Sequence, residues 1–428
     1  MPAEFLELPL EAPAVICDPR ETGLAAQLAS FREFGEPTRQ IVTTSKTFSG
    51  EPLAVPAFVN EFWTARQRQA HSMHEISYRA CFKPQLPRFF IERLTAPGEI
   101  VYDPFMGRGT TPLEAALLGR VPAGCDVNPL SVMLTRPRLH PPTLDEICAR
   151  LDAISLTDHD ELPEDLVAFF HPETLRAISS LKKYFLHRRA AGTLDAVDDW
   201  ICLVSLNRLT GHSPGFFSGR TMPPNQAVSV KVQRKINERL NLTPPPRDVK
   251  QIILKKSRIL LSECDAPTRR TLAGVAGRAQ LLTQISSATP QIASNSVSVV
   301  VTSPPFLDIV NYAGDNWLRC WFLGIDPADV KLTVPRKLEH WQAAMTDIFR
   351  ELHRVLKSGG HVAFEVGEVR GGKIKLEEAV LPCGVEAGLR PLLVLINDQE
   401  FTKTANCWGV DNNAKGINTN RIVVFQKP

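Results

Sequence analysis

The stretch Ile100-Val101-Tyr102-Asp103-Pro104-Phe105-Met106-Gly107-Arg108-Gly109-Thr110-Thr111 narrows the choice of fold more than any other part of the chain. An apolar strand ends in an acid, turns through two glycines and feeds a segment with helical apolar spacing. That is the opening unit of a doubly wound α/β domain, where ligands lie at the carboxyl ends of the strands. Glycine at 107 and 109 tolerates the turn conformation and lets a ligand lie against backbone. No Gly-Lys-Ser/Thr follows, so the turn differs from a phosphate loop. A dinucleotide site would want a third glycine, and here Phe105 precedes the first and Thr110-Thr111 follow the second. A glycine turn with no ligand is the bland alternative.

Regular alternation surrounds this unit. Pro87 to Leu94 has helical spacing, and Val121 to Asp126 reads as a second strand ending in a second acid, before Asn128-Pro129 opens another helix. Strands resume at Ala279 to Leu282 and at Val297 to Val301. Trp341 to Leu356 reads as a long amphipathic helix closed by Ser358-Gly359-Gly360. His361 to Val366, Pro391 to Ile396 and Arg421 to Phe425 read as the remaining strands. The expected organisation is an extension over 1–70, a catalytic domain built from 71–139 plus 278–428, and a mostly helical insertion over 140–277. The fold class is α/β, with a mostly parallel seven-stranded sheet.

The strand at Val297 runs into Thr302-Ser303-Pro304-Pro305-Phe306. The two prolines stiffen this loop and remove the N–H groups of 304 and 305. A hydroxyl, a proline-rigid backbone and an aromatic face suit a planar ligand with N–H donors. A Pro-Pro bend after a strand is also common without any function.

Composition limits the rest. With 428 residues, 43% of them hydrophobic, the chain can bury a large core. No run of about eighteen apolar residues occurs, and Met1 to Glu7 does not resemble a signal segment, so a cytoplasmic protein with no membrane contact is expected. The nine cysteines are scattered without a Cys-x-x-Cys pair, and His74, His212 and His340 lie far apart in sequence. Neither pattern suggests a metal. From Gly219 to Arg278 there are thirteen Lys/Arg against four Asp/Glu, although the whole chain carries a net charge of only +3. A polyanion-binding face or an ordinary solvated helix face would each produce that bias.

The two motifs together resemble those of amino-methylating DNA methyltransferases, most closely the bacterial cytosine-N4 group. The resemblance covers about 74–139 and 279–428. Asp103 to Thr111 is a nearly complete cofactor motif of that family, Asp126 is its strand-end acid, and Ser303-Pro304-Pro305-Phe306 its catalytic loop. Arg354 to Gly360 and Asn418-Thr419-Asn420-Arg421 are also similar to segments of the group. Two departures stand out: Phe306 replaces the more frequent tyrosine, and Thr283 to Ser287 lacks the acid that often lies near the cofactor adenine.

The resemblance implies a Rossmann-like class I methyltransferase domain that uses S-adenosylmethionine. Its cofactor would be held by Phe82, Lys83, Asp103, Pro104, Phe105, Gly107, Gly109, Thr110, Thr111, Asp126, Val127 and Asn128, with Gln284 or Ser286 reading the adenine. Ser303, Pro304, Pro305 and Phe306 would be catalytic. Serine at the first loop position favours cytosine N4 in duplex DNA, reached by base flipping. Adenine N6 is the first alternative, and an RNA amine or a DNA-binding protein without activity the others. DNA contact would fall on His212, Ser213, Arg220, Asn225, Gln226, Lys231, Arg234, Lys235 and Arg239, with Arg66 and Arg68 as phosphate contacts before the catalytic domain. Such enzymes are found at the nucleoid and often have a companion restriction endonuclease. Leu381-Pro382-Cys383-Gly384 mimics the nucleophile motif of carbon-5 methyltransferases, but no Glu-Asn-Val partner accompanies it, and it reads as a packed helix cysteine.

Overall fold

The structure, a computed structural model, describes residues 23–63, 70–78, 81–157, 162–221, 227–306, 312–326, 330, 335, 337–369, 374–398 and 419–428. Arg66, Arg68, Asn225, Gln226 and Asn418 lie outside the described residues.

Nine strands form the main sheet: β1 (Arg39–Lys46), β2 (Pro52–Asn60), β3 (Ile100–Asp103), β4 (Val121–Asp126), β5 (Gln280–Thr283), β6 (Val297–Thr302), β7 (Leu356–Val366), β10 (Arg390–Asp398) and β11 (Thr419–Gln426). Two short strands, β8 (Glu368–Val369) and β9 (Ile374–Lys375), pair separately. The order across the main sheet is β1-β2-β10-β11-β7-β6-β3-β4-β5. The pairs β7–β6, β6–β3, β3–β4 and β4–β5 are parallel, whereas β11 runs antiparallel to both β7 and β10. Seven of these strands make the expected sheet. The other two come from the extension, where β1 and β2 form an antiparallel hairpin and β2 joins β10 in parallel. The signal for this hairpin is a faint alternation in Pro52 to Asn60, whose inner residues, such as Leu53, Val55 and Ala57, are buried.

The central strands have alternating sides in different cores, as a sheet covered on both faces requires. Val101, Val299 and Val301 face α1 (Gly23–Ala29) and α2 (Gln85–Leu94). Tyr102, Val300, Val362 and Phe364 face α12 (Leu338–Val355) and α13 (Leu376–Glu386). α12 presents Trp341, Met345, Ile348, Phe349, Leu352 and Val355 at helical spacing to that second core. It ends where β7 begins, so the predicted turn at Ser358 to Gly360 lies within the β7 span. There the β6–β7 register shifts, and Gly359 has φ +75°.

α3 (Thr110–Leu117) and α4 (Pro129–Thr135) follow β3 and β4 directly. Between α4 and β5 come α5 (Leu144–Ala153), α6 (Pro172–Ala190), α7 (Ala196–Arg208), α8 (Val230–Leu240), α9 (Val249–Leu260) and α10 (Ala266–Ala276). Their apolar faces share a third core with α3 and α4, centred on residues such as Trp200, Phe169 and Leu203. α11 (Tyr312–Leu323) adds Leu318 and Phe322 to that core. No helix among the described residues is long and apolar enough to cross a membrane.

Candidate active site

The glycine turn is held tightly to β4. Met106 N donates to the Cys125 carbonyl at 3.0 Å. A Cβ on Gly124 would sit 2.5 Å from Met106 Sδ, so the bare backbone of β4 is what lets the turn pack there. Gly107 (φ +48°) and Gly109 (φ +75°) both have left-handed backbone. Gly109 caps α3, and a Cβ there would lie 2.1 Å from Thr135 Oγ1. Gly109→Ala is therefore expected to destabilise the chain by roughly 3 kcal/mol, combining backbone strain with overpacking, as urea unfolding of the full chain would measure.

Two acids flank the turn. Asp103 is 1% exposed. Its Oδ1 accepts from Phe105 N at 3.0 Å and from Thr302 Oγ1 at 2.6 Å. The nearby Thr111 hydroxyl donates to the Val301 carbonyl at 3.0 Å, and Asp103 Oδ2 is buried with no hydrogen bond among the described residues. Burial pushes the Asp103 carboxyl up to about 7, against the lowering effect of its hydrogen bonds. Asp126 receives Asn128 N on Oδ1 and Gly107 N on Oδ2, each at 2.9 Å, so it fixes both the turn and the start of α4. Burial raises its carboxyl too.

Arg108 clamps the preceding segment onto this turn. Its guanidinium donates to the carbonyls of Ile76 at 2.9 Å, His74 at 3.4 Å and Phe82 at 3.5 Å. The buried Arg138 donates in turn to the carbonyls of Arg108 and Met73. His74 meets Glu114 of α3 at 2.7 Å, and burial holds its imidazole down to about 4. The result is a wall carrying Tyr78, Cys81 and Phe82.

These elements enclose a cavity of about 280 Å³ at the carboxyl ends of β3, β4 and β6. Of the residues expected to hold a cofactor, Phe82, Asp103, Phe105, Gly107, Thr110, Asp126, Val127 and Asn128 line it. Lys83, Pro104, Gly109 and Thr111 do not; the last three support the turn from behind. Ser303 and Pro305 line the same cavity, whereas Pro304 and Phe306 are not on its wall. The ring of Phe306 packs against Gly367, where an added Cβ would meet it at 3.1 Å. Trp341 Nε1 donates to the Pro305 carbonyl at 3.0 Å and fastens the loop to α12.

The sequence reading missed several members of the wall. Tyr78, Cys81, Met106, Arg108 and Ser287 belong to it, as do Ala344, Asp347 and Ile348 from α12. Ile285, 58% exposed, also lines it, an apolar side chain facing open space. Ser286 lines the cavity but donates its hydroxyl to the Pro104 carbonyl, and Gln284 is tied to Ala288 and Gln291 outside it. Glu365 of β7, also missed, accepts from Asn420 Nδ2 at 2.7 Å; burial raises its carboxyl, and the nearby Ser303 hydroxyl acts to lower it. The familiar terminal segment with Asn420 gave the signal, but only β7–β11 pairing reveals the partner.

Cys383 is buried inside α13, with its thiol pushed up to about 12 by burial. It cannot serve as a ready thiolate. Among the described residues no group of three or more His, Cys, Asp or Glu is placed to hold a metal.

The expected DNA residues are spread over α8 and the block before it. His212, Ser213 and Arg220 line a second cavity. Lys231, Lys235 and Arg239 are exposed on α8, while Arg234 pairs with Asp165 at 2.7 Å.

Sheet order and cavity together define a Rossmann-like class I methyltransferase fold. Residues 45–134 match the model of the N6_N4_Mtase family, described as DNA methylase, and the match begins within the β1–β2 hairpin. The type II methyltransferase M.MjaII of Methanocaldococcus jannaschii is 34% identical over 74 residues, 17% of this chain and 14% of that protein. The type II methyltransferase M.BsoBI of Geobacillus stearothermophilus is 22% identical over 315 residues, 68% of this chain and 58% of that protein. The chain thus spans less than two thirds of the length of the curated relatives it matches. Among solved structures, TrmN from Thermus thermophilus is similar at a TM-score of 0.34 and 13% identity, covering 96% of this chain and 66% of that one. That likeness is too slight to bear on function. The matched segment and the two relatives thus show a similarity to DNA methylases of a family named for both N6 and N4 enzymes.

Proposed function

We propose that this protein transfers the methyl group of S-adenosylmethionine to the exocyclic N4 amine of cytosine in duplex DNA. The observation that carries the reading is that Ser303 opens into the same cavity as Asp103, Gly107 and Asp126.

The residues present suit the cofactor. Asp103 Oδ2, buried and with no hydrogen bond among the described residues, suits the methionine ammonium. Asp126 lies where ribose hydroxyls would meet it. Ile285 and Ile348 offer apolar contact for the adenine. When bound there, S-adenosylmethionine supplies an electrophilic methyl on a sulfonium, a leaving group that needs no metal.

The chain's own residues do the rest. An aromatic exocyclic amine is a weak nucleophile because its lone pair is delocalised into the ring. Ser303 Oγ accepting one N–H, and a loop carbonyl accepting the other, localise that pair toward the methyl. The Pro305 carbonyl is already committed to Trp341, which leaves the second role to a carbonyl earlier in the loop. Glu365, whose carboxyl the Ser303 hydroxyl influences, would accept the hydroxyl hydrogen and so turn the serine lone pairs to the base. Attack would then be direct, the amine nitrogen bonding to the methyl carbon as its bond to sulfur breaks, with the extra amine proton released to water afterwards, and positioning would supply most of the acceleration. In a duplex the amine is paired inside the stack, so the base must leave it first.

Nucleoside digestion of treated DNA with mass detection tests the assignment. N4-methylcytosine is the expected product. N6-methyladenine alone would transfer the same mechanism to adenine, and label found only in tRNA would overturn the substrate class.

A further inference from the structure

The second cavity lies about the irregular block 212–220, away from the elements that hold the glycine turn, and measures about 270 Å³. Its polar wall consists of His212, Ser213, Ser218, Arg220, Asn237, Thr243 and Arg247. Among the described residues no carboxylate lines it. The acids nearest in sequence, Glu238 and Asp248, are off the wall, and Asp248 accepts from Gln251 N at the start of α9. Arg247 Nε is buried without an acceptor among the described residues. A guanidinium N–H in a carboxylate-free hollow lacks a negatively charged oxygen.

The hollow is built rather than incidental. Gly219 packs so closely on Pro244 that a Cβ would come within 3.2 Å of its Cα. Thr221 N donates to the Gly211 carbonyl at 2.9 Å and Arg247 N to Thr174 Oγ1 at 2.8 Å, which close the two sides. Asn237 Nδ2 donates to the Ala168 carbonyl at 2.8 Å and anchors the end of α8 beside it.

α8 leads to this hollow. Lys231, Lys235 and Arg239 are exposed and recur every four residues, so they follow one side of the helix in steps of about 6 Å. None of the three has an ion pair among the described residues, in contrast to Arg234, which Asp165 engages. A regular row of cations ending in a closed cationic hollow fits a polymer of regularly spaced anions better than a single small anion.

We infer that this hollow grips a backbone phosphate of DNA through Arg220 and Arg247, and that Lys231, Lys235 and Arg239 follow the neighbouring phosphates. It would thus position the duplex and contribute affinity, while reading no base. The inference rests on DNA being the substrate.

Arg220→Ala/Arg247→Ala, Arg247→Ala and Arg247→Lys in the full chain test it, by anisotropy with a labelled 20-base-pair duplex between 50 and 200 mM NaCl. Wild type should show a steep log–log salt slope, and the double variant a slope shallower by about one, since each phosphate no longer neutralised removes about 0.9. Its Kd at low salt should rise at least tenfold, with cofactor affinity unchanged. Arg247→Lys should retain most of the slope that Arg247→Ala loses, because a point charge still meets phosphate. Equal loss in both would mean that Arg247 only braces the fold, and would overturn the inference. So would a wild-type slope in the double variant. Inorganic phosphate at constant ionic strength should weaken DNA binding by wild type more than by the double variant; phosphate binding that leaves DNA binding untouched would make this a free-anion site and refute the phosphodiester assignment. A wild-type protein that binds cofactor but no DNA would defeat the substrate reading itself, and the inference with it.

Discussion

Replacing Ser303 with alanine should lower kcat for methyl transfer by two to three orders of magnitude and leave cofactor affinity within about twofold. The magnitude follows from the cost of removing one preorganised polar contact that acts on charge developing in the transition state, about 10²–10³ in rate. Cofactor affinity should hold because the proposed ammonium site, Asp103, is at the end of another strand, and Ser303 lines the cavity from the loop after β6. Stability should change little, since Ser303 is only half-buried. Single-turnover transfer of labelled methyl, alongside calorimetric cofactor binding, separates the two effects. Loss of cofactor binding equal to the loss of rate would mean that the loop merely shapes the cavity. Glu365→Gln provides a companion measurement: its amide can still meet Ser303, but acceptance of the hydroxyl hydrogen weakens. A smaller fall in kcat with unchanged KM would identify Glu365 as a residue that positions Ser303.

How much of this was legible beforehand depended on whether a signal was local. β3, α3 and β4 form from adjacent residues, so apolar runs, two glycines and the Asn128-Pro129 cap were enough to mark them. β3 and β4 appear with the boundaries read from the sequence. The hairpin at 39–60 was not legible, because strand alternation there is faint and its order comes from pairing with β10, more than three hundred residues later. The site divides in the same way. Asp103, Asp126 and Ser303 sit at strand ends inside motifs, whereas Asp347, Ile348 and Glu365 reach the cavity or its serine only because α12 and β7 pack beside β6. Gln284 illustrates the opposite failure. It occupies a plausible position in sequence, yet its amide is spent on Ala288 and Gln291. In the basic region the count of charges was legible, but the difference between Arg234, which is paired, and Arg247, which is not, required the fold.

Asp103→Asn should weaken S-adenosylmethionine binding about a hundredfold while making the cofactor-free protein more stable at pH 8. Asparagine can keep an oxygen for Phe105 N and Thr302 Oγ1, so the turn survives. Its amide would replace the buried, unpartnered Oδ2, and an N–H donor cannot balance an ammonium. Losing one partner of a buried charge pair costs about 2–5 kcal/mol. The pH dependence should expose the same group. Burial raises the Asp103 carboxyl from the ordinary carboxylate range to about 7 in the folded chain. The folded state therefore holds this proton more strongly than the unfolded state, and the contribution of Asp103 to stability falls as pH rises from about 4 to about 7. The amide abolishes that loss, so thermal unfolding without cofactor should favour the variant at pH 8 and converge with wild type near pH 4. Cofactor affinity should run the other way. Only ionised Asp103 pairs with the ammonium, so wild-type affinity should fall up to tenfold per unit below pH 7, and the variant should lose most of that dependence. Any slope left in the variant belongs to Asp126, whose carboxyl burial also raises. If the variant bound cofactor as tightly as wild type at pH 8, Asp103 would not be the ammonium site, and the exposed end of the cavity near Asp347 would have to hold the methionine instead.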